Sequence, residues 1–377
     1  MKTADFIVIG GGIAGLSAAA RLASHGKVVV CEAENAVGYH SSGRSATYYH
    51  FGIGNNPVRA MTSYSRAFFE DPPEGFADRP LCRPTPALFI AREDMVDTLN
   101  ALEADMRRFT DTITRATEAD MRALLPVLKV GDGAIVTGVI DSSGRRLDAD
   151  GLLQGFAKQV KIQDGEVLTD HSVAGLTCQN GVWEVTTQRG EKLAAPIIIN
   201  AAGAWADKIG ALAGAHPLGL HPKRRTVILF DPPEGEDIAN WPFVKTAVDD
   251  FYMIPESGRL LASPVDEIDS EPTDAQPEDY DVALAAWKVE DYTTLTVPRI
   301  GHRWAGLRSF VADRVPTAGF APDVEGFFWL AGQGGYGLQT APAMADIVAS
   351  LITGSPWPHH LETLGLTRNQ IAPERLF

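Results

Sequence analysis

Residues 8–34 read VIGGGIAGLSAAARLASHGKVVVCEAE, and this stretch changes its pattern three times. The short apolar run before Gly10 is typical of a buried parallel strand, and the segment after Gly12 carries apolar residues at helical spacing. Gly26 predicts the end of that helix, and the run KVVVC predicts a second strand. The pattern therefore predicts a strand, a glycine turn, a helix and another strand.

The glycine spacing in this unit is typical of a dinucleotide-binding turn. Gly10 permits a tight turn, Gly12 lets the backbone approach a pyrophosphate, and Gly15 lets the helix pack closely on the strand. The free N–H groups at the helix start, around Ile13 and Ala14, would bind the phosphates.

An acidic residue follows the second predicted strand. Glu32 stands where a carboxylate would accept hydrogen bonds from the hydroxyls of an adenosine ribose. The alternative is a tight turn that binds nothing, with Glu32 as a surface acid. Because glycines, helix and acid occur in the expected order, we predict dinucleotide binding near the N-terminus.

A second pattern of this kind lies in residues 326–354, where Phe327–Ala331 predicts a strand. Four glycines follow that strand: Gly332, Gly334, Gly335 and Gly337. We then expect a helix whose first turn tolerates Pro342. A helix start carries partial positive charge, which would favour a reduced flavin ring, whereas a nicotinamide has no comparable need. The two glycine turns therefore predict FAD, bound across one discontinuous domain.

A third apolar run, PIIINAAGAW at 196–205, ends on small residues at Ala201, Ala202 and Gly203. This pattern predicts a buried strand that ends beside a ligand, and plain core packing is the alternative.

Length and composition exclude several classes of protein. The 377 residues favour two domains, and 45% hydrophobic with 21% charged residues is ordinary for a soluble chain without a membrane span. A net charge of -15 argues against binding to nucleic acid. The acidic run 266–281 contributes much of this charge and is expected to be a solvated loop.

The three cysteines, Cys31, Cys82 and Cys178, lie far apart and show no metal-ligand spacing. We therefore expect a reducing cytoplasmic location and no metal site. Three glycines interrupt the apolar N-terminal stretch, which argues against an export signal.

Six motifs together carry a family resemblance: VIGGGIAGLSAAARLA, GYHSSGRSATY, IIINAAGAWAD, HPKRRTVILF, HRWAGLRSF and LAGQGGYGLQTAPA. They resemble the FAD-dependent D-amino-acid oxidase and glycine oxidase superfamily almost end to end, and bacterial D-arginine dehydrogenase most closely. The resemblance implies an α/β fold: a Rossmann-like FAD-binding domain on a mixed sheet and a substrate domain on an antiparallel sheet. It assigns 1–75, 146–215 and 310–377 to the first domain, and 76–145 and 216–309 to the second. The β-branched runs RTVILF and TTLTV are compatible with that sheet.

Two arginines are candidates for binding a substrate carboxylate, because a planar guanidinium can hold a carboxylate with two hydrogen bonds. Arg308 lies in an apolar neighbourhood and Arg225 ends the run KRR; a structural salt bridge and a solvated surface are the respective alternatives. By resemblance, the Tyr252 hydroxyl helps to hold the carboxylate, and the Gly335 carbonyl accepts from the substrate amine. A packed sheet tyrosine and a simple turn glycine are the alternatives.

The resemblance also implies that a loop runs along the pyrophosphate and the flavin ring and contains Ser42, Arg44 and Ser45. A polar surface loop without a ligand is the alternative. Further cofactor-binding residues that it implies are Val173, Ala202, Gly203, Gly334, Gly335, Tyr336, Gly337, Gln339 and Thr340. Residues 46–54 would form a mobile lid with Gly52 and Gly54 as its flexible points.

Three positions depart from the D-arginine enzyme, which has histidine, tyrosine and glutamate where this chain has Tyr48, Ile53 and Ala87. Loss of the glutamate at Ala87 removes the reason to prefer a cationic side chain. We therefore expect a neutral, apolar or small substrate. Tyr48 and His50 remain as candidates that orient the lid or the substrate amine, although a histidine on a lid is more often simply solvated.

The expected activity is oxidative deamination of D-amino acids to 2-oxo acids and ammonia. No cysteine follows Cys178, so FAD is expected to be non-covalent unless His40 forms an unusual link. The alternatives are an oxidase of glycine, sarcosine or cyclic imino acids, and a flavin-binding redox sensor without turnover, against which Arg225, Tyr252 and Arg308 argue together. The electron acceptor, quinone or oxygen, and the oligomeric state stay open.

Overall fold

The computed structural model describes every residue from Met1 to Phe377. The strands are β1 (Lys2–Thr3), β2 (Phe6–Ile9), β3 (Val28–Cys31), β4 (Tyr48–Tyr49), β5 (Cys82–Pro84), β6 (Ala87–Ala91), β7 (Ile113–Ala116), β8 (Thr137–Asp141), β9 (Arg145–Leu147), β10 (Glu166–Leu168), β11 (Val173–Gln179), β12 (Val182–Thr187), β13 (Lys192–Ala195), β14 (Ile197–Asn200), β15 (His221–Phe230), β16 (Phe243–Thr246), β17 (Tyr252–Glu256), β18 (Arg259–Ser263), β19 (Ile268–Asp269), β20 (Ile300–Phe310), β21 (Thr317–Phe320) and β22 (Phe327–Ala331). The helices are α1 (Ile13–Leu22), α2 (Asn56–Glu70), α3 (Val96–Arg107), α4 (Glu118–Leu124), α5 (Ala149–Ile162), α6 (Ala206–Ala213), α7 (Asp279–Tyr292), α8 (Gly337–Thr353) and α9 (His359–Thr363). None of these helices combines the length and the apolar character needed to cross a membrane.

A six-stranded sheet contains all the strands predicted from the glycine motifs. Its order is β10-β3-β2-β14-β22-β21, and every pairing is parallel except that between β21 and β22. Strands β2, β3 and β22 are apolar and buried along their whole length because both faces of the sheet are covered there. This confirms the predicted strands at both ends of the chain and the Rossmann-like unit between them.

Two helix details differ from the prediction. Helix α1 ends at Leu22 rather than at Gly26, because the chain tightens into a turn in which the His25 N–H donates to the Leu22 carbonyl. Helix α8 begins at Gly337, so Pro342 lies beyond its first turn rather than inside it.

A nine-stranded sheet forms the other layer of the molecule. Its order is β19-β15-β18-β17-β16-β6-β8-β7, with β20 also paired to β15, and only the β16–β6 pairing is parallel. The prediction of a largely antiparallel second sheet is confirmed, and with it the fold class. The run RTVILF lies in β15, but TTLTV is not a strand: apart from one isolated bridge at Thr293, it is irregular.

One hydrophobic core connects the two layers. A single buried apolar cluster includes Val8 and Leu16 beside the six-stranded sheet and Phe89 and Ile254 in the nine-stranded sheet. A smaller cluster packs between the six-stranded sheet and a four-stranded sheet of order β1-β13-β12-β11. The two predicted domains therefore share a core, and their boundaries stay a proposal.

Glycines at the first turn allow backbone contacts that no other residue permits. Gly10 has φ +111°, and a Cβ there would lie 2.4 Å from the Ala201 carbonyl oxygen, at the end of the neighbouring strand β14. A Cβ at Gly15 would lie 1.9 Å from the Gly10 carbonyl oxygen. Helix α1 can begin this close to β2 only because both side chains are missing.

Replacing Gly15 with Ala should destabilise the protein by about 1–3 kcal/mol, because α1 must move away from β2. Urea unfolding with excess FAD and without FAD measures the loss. Gly175→Ala is the control, since a Cβ there meets nothing within 4 Å. Equal stability of the two variants would contradict the close-packing role of Gly15.

Candidate active site

The carboxyl ends of β2, β3 and β14 open onto a cavity of about 680 Å³, here called the edge cavity. Parallel strands place their carboxyl ends at one edge of the sheet, so the residues that follow them converge. The sequence-predicted residues among those that line it are Gly10, Gly12, Glu32, Ser42, Val173, Ala202 and Gly203. The structure therefore brings the first glycine turn, the acid and the end of β14 together.

Glu32 is held in place by the backbone of the turns beside it. Its carboxylate accepts from the Gly11 N–H at 2.6 Å and from the Glu34 N–H at 2.9 Å. Burial raises the pKa of Glu32, while those two N–H groups oppose the shift. The carboxylate thus faces a cavity in a fixed orientation, as recognition of a ribose diol requires.

The start of α1 meets the predicted polar loop. The Ser42 hydroxyl accepts from the Ile13 N–H at 3.0 Å, and Gly12 lies directly beside it. Ala14 lies in the same first turn and lines a neighbouring cavity. The free end of a buried helix with glycine before it provides N–H donors for an anion, as a pyrophosphate needs.

That neighbouring cavity, here called the arginine cavity, has a volume of about 140 Å³. The predicted residues lining it are Gly12, Ile13, Ala14, Ser42, Arg44, Ser45, Gly203, Arg225, Tyr252, Arg308, Gly334, Gly335 and Gly337. Gly12, Ser42 and Gly203 line both cavities. The two cavities therefore adjoin at the α1 N-terminus, and their residues fit a dinucleotide: an acid for a ribose, a helix start for phosphates and a glycine turn for a flat ring.

Strand register brings the candidate carboxylate ligands to one face of the nine-stranded sheet. Arg225 on β15 pairs with Gly306 on β20, and Arg308 lies two residues further along, on the same face as Gly306. Tyr252 opens β17 and is 4% exposed, and its hydroxyl forms no hydrogen bond within the protein. Residues far apart in sequence thus line one cavity.

Arg308 is half-buried and has no hydrogen-bond or ion-pair partner in the protein. Its guanidinium packs on Gly335, where a Cβ would lie 2.7 Å from Arg308 Cζ. Gly335 therefore has a packing reason to be glycine, since a side chain there would displace the guanidinium. A half-buried charge without a partner is costly unless a ligand supplies the counter-charge.

Arg225, by contrast, is buried and paired. Its Nε donates to the Asp266 carbonyl at 2.7 Å, and Nη2 lies 3.1 Å from Glu267 Oε1. Burial, reinforced by the nearby charge of Arg308, lowers the pKa of Arg225 to about 10. Arg225 is not a solvated surface residue, so that alternative is excluded.

The counter-charge of Arg225 comes from the acidic run 266–281. The middle of this run is exposed and irregular, as predicted, but its two ends are buried, so the interpretation as a solvated loop is wrong there. Asp266 is buried and accepts from the Thr226 N–H at 2.7 Å, and Asp281 is also buried. The run contains β19 and the start of α7. Sequence reasoning counted the acids but could not see that β15 places arginines opposite them.

The polar loop is anchored to β20 rather than free. Arg44 donates to the Ala305 carbonyl at 3.2 Å and pairs with Asp274 at 2.5 Å. The Ser45 hydroxyl accepts from the Thr47 N–H at 3.0 Å. Arg44 and Ser45 line the arginine cavity, but their side chains already have protein partners.

Six predicted site residues lie outside the lining of both cavities: Gly15, Tyr48, His50, Tyr336, Gln339 and Thr340. Gly15 acts instead in the close packing of α1 on β2. The Tyr48 hydroxyl donates to the Thr85 carbonyl, and the Gln339 amide binds the backbone of His50 and the Thr62 hydroxyl. His50 is buried among aromatic rings with Nδ1 unpaired, and burial lowers its pKa well below the usual range. The Tyr336 hydroxyl donates to the Arg314 carbonyl, and the Thr340 hydroxyl donates to the backbone carbonyl of Tyr336.

The prediction that residues 46–54 form a mobile lid is wrong for the centre of this segment. Tyr49 and Phe51 are each 1% exposed, and β4 pairs with β9 inside a three-stranded sheet of order β4-β9-β5. A Cβ at Gly52 would lie 2.1 Å from the Phe89 ring. Gly52 therefore allows close packing and does not provide flexibility.

Sequence reasoning missed one buried cation on the same sheet face. Lys245 lies opposite Tyr252 in the pairing of β16 with β17, and only 6% of Lys245 is exposed. Its Nζ lies 3.0 Å from Asp249 Oδ1 and donates to the Gly52 carbonyl at 3.0 Å. Burial lowers the pKa of Lys245, and Asp249 opposes that shift. A single lysine in the apolar run WPFVKTAV was the signal that could have revealed it.

The comparisons with known proteins identify the family and the fold. The sequence profile of the DAO family, described as FAD dependent oxidoreductase, matches residues 5–351. The oxidoreductase YurR of Bacillus subtilis is 25% identical over 64% of this chain and 63% of its own length, so the chain matches less than two thirds of that relative.

Solved structures show the same fold. L-proline dehydrogenase from P. horikoshii has a TM-score of 0.83 at 22% identity, over 99% of this chain and 98% of that one. Glycine oxidase from Geobacillus kaustophilus has a TM-score of 0.81 at 20% identity, over 94% and 96% of the two chains.

The family profile, which matches most of the chain, gives the class of the protein: an FAD-dependent oxidoreductase. The chain belongs to the DAO family of FAD-dependent oxidoreductases, and FAD is its cofactor. Particular closeness to D-arginine dehydrogenase stays a prediction from the motifs.

Replacing Glu32 with Gln should raise the Kd of the apoprotein for FAD roughly tenfold or more, because a charged hydrogen-bond acceptor is lost. Titration of apoprotein by flavin fluorescence measures this. Glu184→Gln is the control, because Glu184 pairs only with Lys192, away from both cavities. An unchanged Kd for Glu32→Gln would contradict the ribose role.

Proposed function

We propose that the protein oxidises D-amino acids with neutral or apolar side chains to 2-oxo acids and ammonia. The observation that carries the proposal is the half-buried Arg308 guanidinium, which has no partner in the protein. It lines the same cavity as Tyr252, whose hydroxyl also forms no hydrogen bond within the protein. Together they offer donors to one substrate carboxylate at the wall of the arginine cavity.

The protein's main task is positioning. Arg308 and Tyr252 bind the carboxylate, and the Gly335 carbonyl accepts from the amine, so that Cα faces the remaining part of the cavity. Arg225 adds positive charge behind them and is fixed by Glu267. FAD, when bound, would accept the hydride from Cα, and water would then hydrolyse the resulting imine to 2-oxo acid and ammonia.

No side chain in the arginine cavity is placed as a general base. Its charged lining residues are three arginines, and no acid or histidine lines it. Such surroundings disfavour an ammonium group, so they support oxidation of an amine that has already lost its proton. The catalytic contribution of these residues is therefore orientation and charge.

The same lining supports the preference against cationic side chains. Arg44 pairs with Asp274 and Arg225 with Glu267, so only Arg308 has no counter-charge in the protein. One substrate carboxylate satisfies it, and no acid is left for a second positive charge. Ala87 is fully buried in β6 and lies outside the lining, so the preference rests on the cavity as a whole.

A second candidate is oxidation of glycine or of a secondary amino acid, and the small volume of the arginine cavity favours it. Glycine oxidase and L-proline dehydrogenase are among the proteins of similar fold. Both candidate reactions use the same carboxylate site. Their substrates differ in whether Cα carries a side chain and whether the nitrogen carries a substituent.

Non-covalent FAD is part of the proposal. No cysteine lines the arginine cavity, and His40 lies in the edge cavity with Nε2 at 2.9 Å from Glu34 Oε1.

Anaerobic titration of the FAD-loaded protein with a panel of amino acids tests the function. Neutral D-amino acids should bleach the flavin, and D-Arg should do so with at least roughly tenfold lower efficiency, because the cavity offers its side chain no acid. The L-enantiomers should be inactive. Faster reduction by an L-amino acid would overturn the stereochemical part, and faster reduction by sarcosine or glycine would favour the second candidate.

Arg308→Ala should lower the efficiency of flavin reduction roughly 100-fold or more while FAD stays bound, because the carboxylate loses its charged ligand. Stopped-flow absorbance with the best substrate of the panel measures this. Arg303→Ala is the matched control, on the same strand but exposed and paired with Asp279. Equal rates in both variants would remove Arg308 from the site.

A further inference from the structure

A surface hollow of about 560 Å³, which we call the hairpin pocket, lies at the end of β17 opposite to Tyr252. Its charged lining residues are Arg83, Arg146, Glu236, Asp237 and Glu256. It borders the hairpin of β17 and β18, whose turn at Ser257 and Gly258 has positive φ at both residues. The pocket does not share a lining residue with either of the other two cavities.

Strand β17 leads from the hairpin pocket to the carboxylate site. Tyr252 at its start lines the arginine cavity, and Glu256 at its end lines the hairpin pocket. Side chains four residues apart share a face of a strand, so the Tyr252 and Glu256 side chains point to the same side of the sheet. Four residues of strand span about 13 Å, so this is the separation of Tyr252 and Glu256 along β17.

One ion pair occupies the wall between the two cavities. Arg146 Nη2 pairs with Glu256 Oε2, and Arg146 Nη1 donates to the carbonyl of Ala46, a residue that lines the arginine cavity. The two side chains are only 14% and 26% exposed. Burial, reinforced by Arg83, lowers the pKa of Arg146 to about 10, and the group stays positively charged at neutral pH. Arg146 thus contacts the inner site and the outer pocket at once.

The backbone beside this pair is fixed, so the side chains are the part of the wall that can move. Tyr48 pairs with Arg146 between β4 and β9, and Arg83 pairs with Arg146 between β5 and β9. The buried segment around Tyr49 and Phe51 cannot swing away as a lid without exposing core. A side-chain rearrangement needs no such loss.

We infer that the hairpin pocket is the access route for the substrate and that the Arg146–Glu256 pair closes it. This rests on the proposed function, because the substrate is then a zwitterion that carries one carboxylate and one ammonium group. Such a molecule can replace the ion pair without leaving either buried charge unpaired, because its carboxylate binds Arg146 and its ammonium group binds Glu256. The carboxylate then moves inward to Arg308.

The pocket carries charges of both signs, which suits a zwitterion better than a purely anionic or cationic ligand. Besides the ion pair, Arg83 can bind the carboxylate, and Glu236 and Asp237 can bind the ammonium group. Arg146 and Glu256 are positioning residues in this scheme, since neither lines the cavity where oxidation would occur.

The test removes the negative partner. In Glu256→Gln, quenching of the FAD fluorescence of the loaded protein by acrylamide, a neutral probe, should increase about twofold because the wall opens. In anaerobic stopped-flow experiments, the second-order rate constant of flavin reduction should change at least about fivefold, with the limiting rate at saturation retained.

Asp231→Asn is the matched control. Asp231 pairs with Arg259 of the same hairpin at 3.0 Å, but both side chains are exposed and neither lines the pocket. Glu256→Asp, which keeps the charge but shortens its reach, should also increase quenching and provides a second variant if Glu256→Gln loses FAD. Quenching in both Glu256 variants equal to that of Asp231→Asn would overturn the access route.

The two hypotheses fail in different ways. If quenching increases but no amino acid reduces the flavin of the parent protein, the proposed function is wrong, whereas the Arg146–Glu256 pair still closes an opening to the flavin. If amino acids reduce the flavin and the limiting rate falls together with the second-order constant in Glu256→Gln, the pair acts on the chemistry and the access role is overturned.

Discussion

The contact between the Arg308 guanidinium and the bare backbone of Gly335 joins the two halves of the site. Arg308 comes from the nine-stranded sheet and Gly335 from the turn after β22, so the contact fixes the sheet over the glycine turn. The neighbouring buried cations have carboxylate partners: Arg225 has Glu267 and Lys245 has Asp249. An unpaired Arg308 is costly to the folded chain alone and becomes favourable when a carboxylate binds.

The edge of the six-stranded sheet supplies the other constraint. Gly10 and Ala201 approach so closely that only backbone fits between them, and the space beyond is left for a cofactor. Glu32 and the start of α1 then provide an acceptor and N–H donors at fixed places. Because one core extends across both layers, the cofactor edge and the arginine face cannot move independently without disturbing buried packing.

The sequence was most informative where local pattern and backbone geometry coincide. The glycine turns at Gly10 and Gly335 and the strands before them follow from the spacing of apolar residues and glycines, and the structure has both strands. The sequence was least informative about pairing between distant segments. The acids Asp266 and Asp281 read as a solvated loop because their partners on β15 are far away in the chain.

Residues 46–54 show the same limit. The family resemblance and the glycines Gly52 and Gly54 predicted a mobile lid, but residue 52 is a glycine because the Phe89 ring lies against it. Lys245 was overlooked because its role depends on the β16–β17 register, which local sequence does not reveal. Tyr48 and His50 resemble site residues in sequence, yet the structure places their side chains behind the cavity wall, so their roles stay a prediction.

The most direct measurement of the central claim is a crystal structure of the FAD-loaded protein with an unreactive carboxylate, such as the 2-oxo acid product of its best substrate. The account predicts that both carboxylate oxygens bind Arg308 and that one also accepts from the Tyr252 hydroxyl. A carboxylate bound elsewhere, with Arg308 turned toward an acidic side chain of the protein, would contradict it.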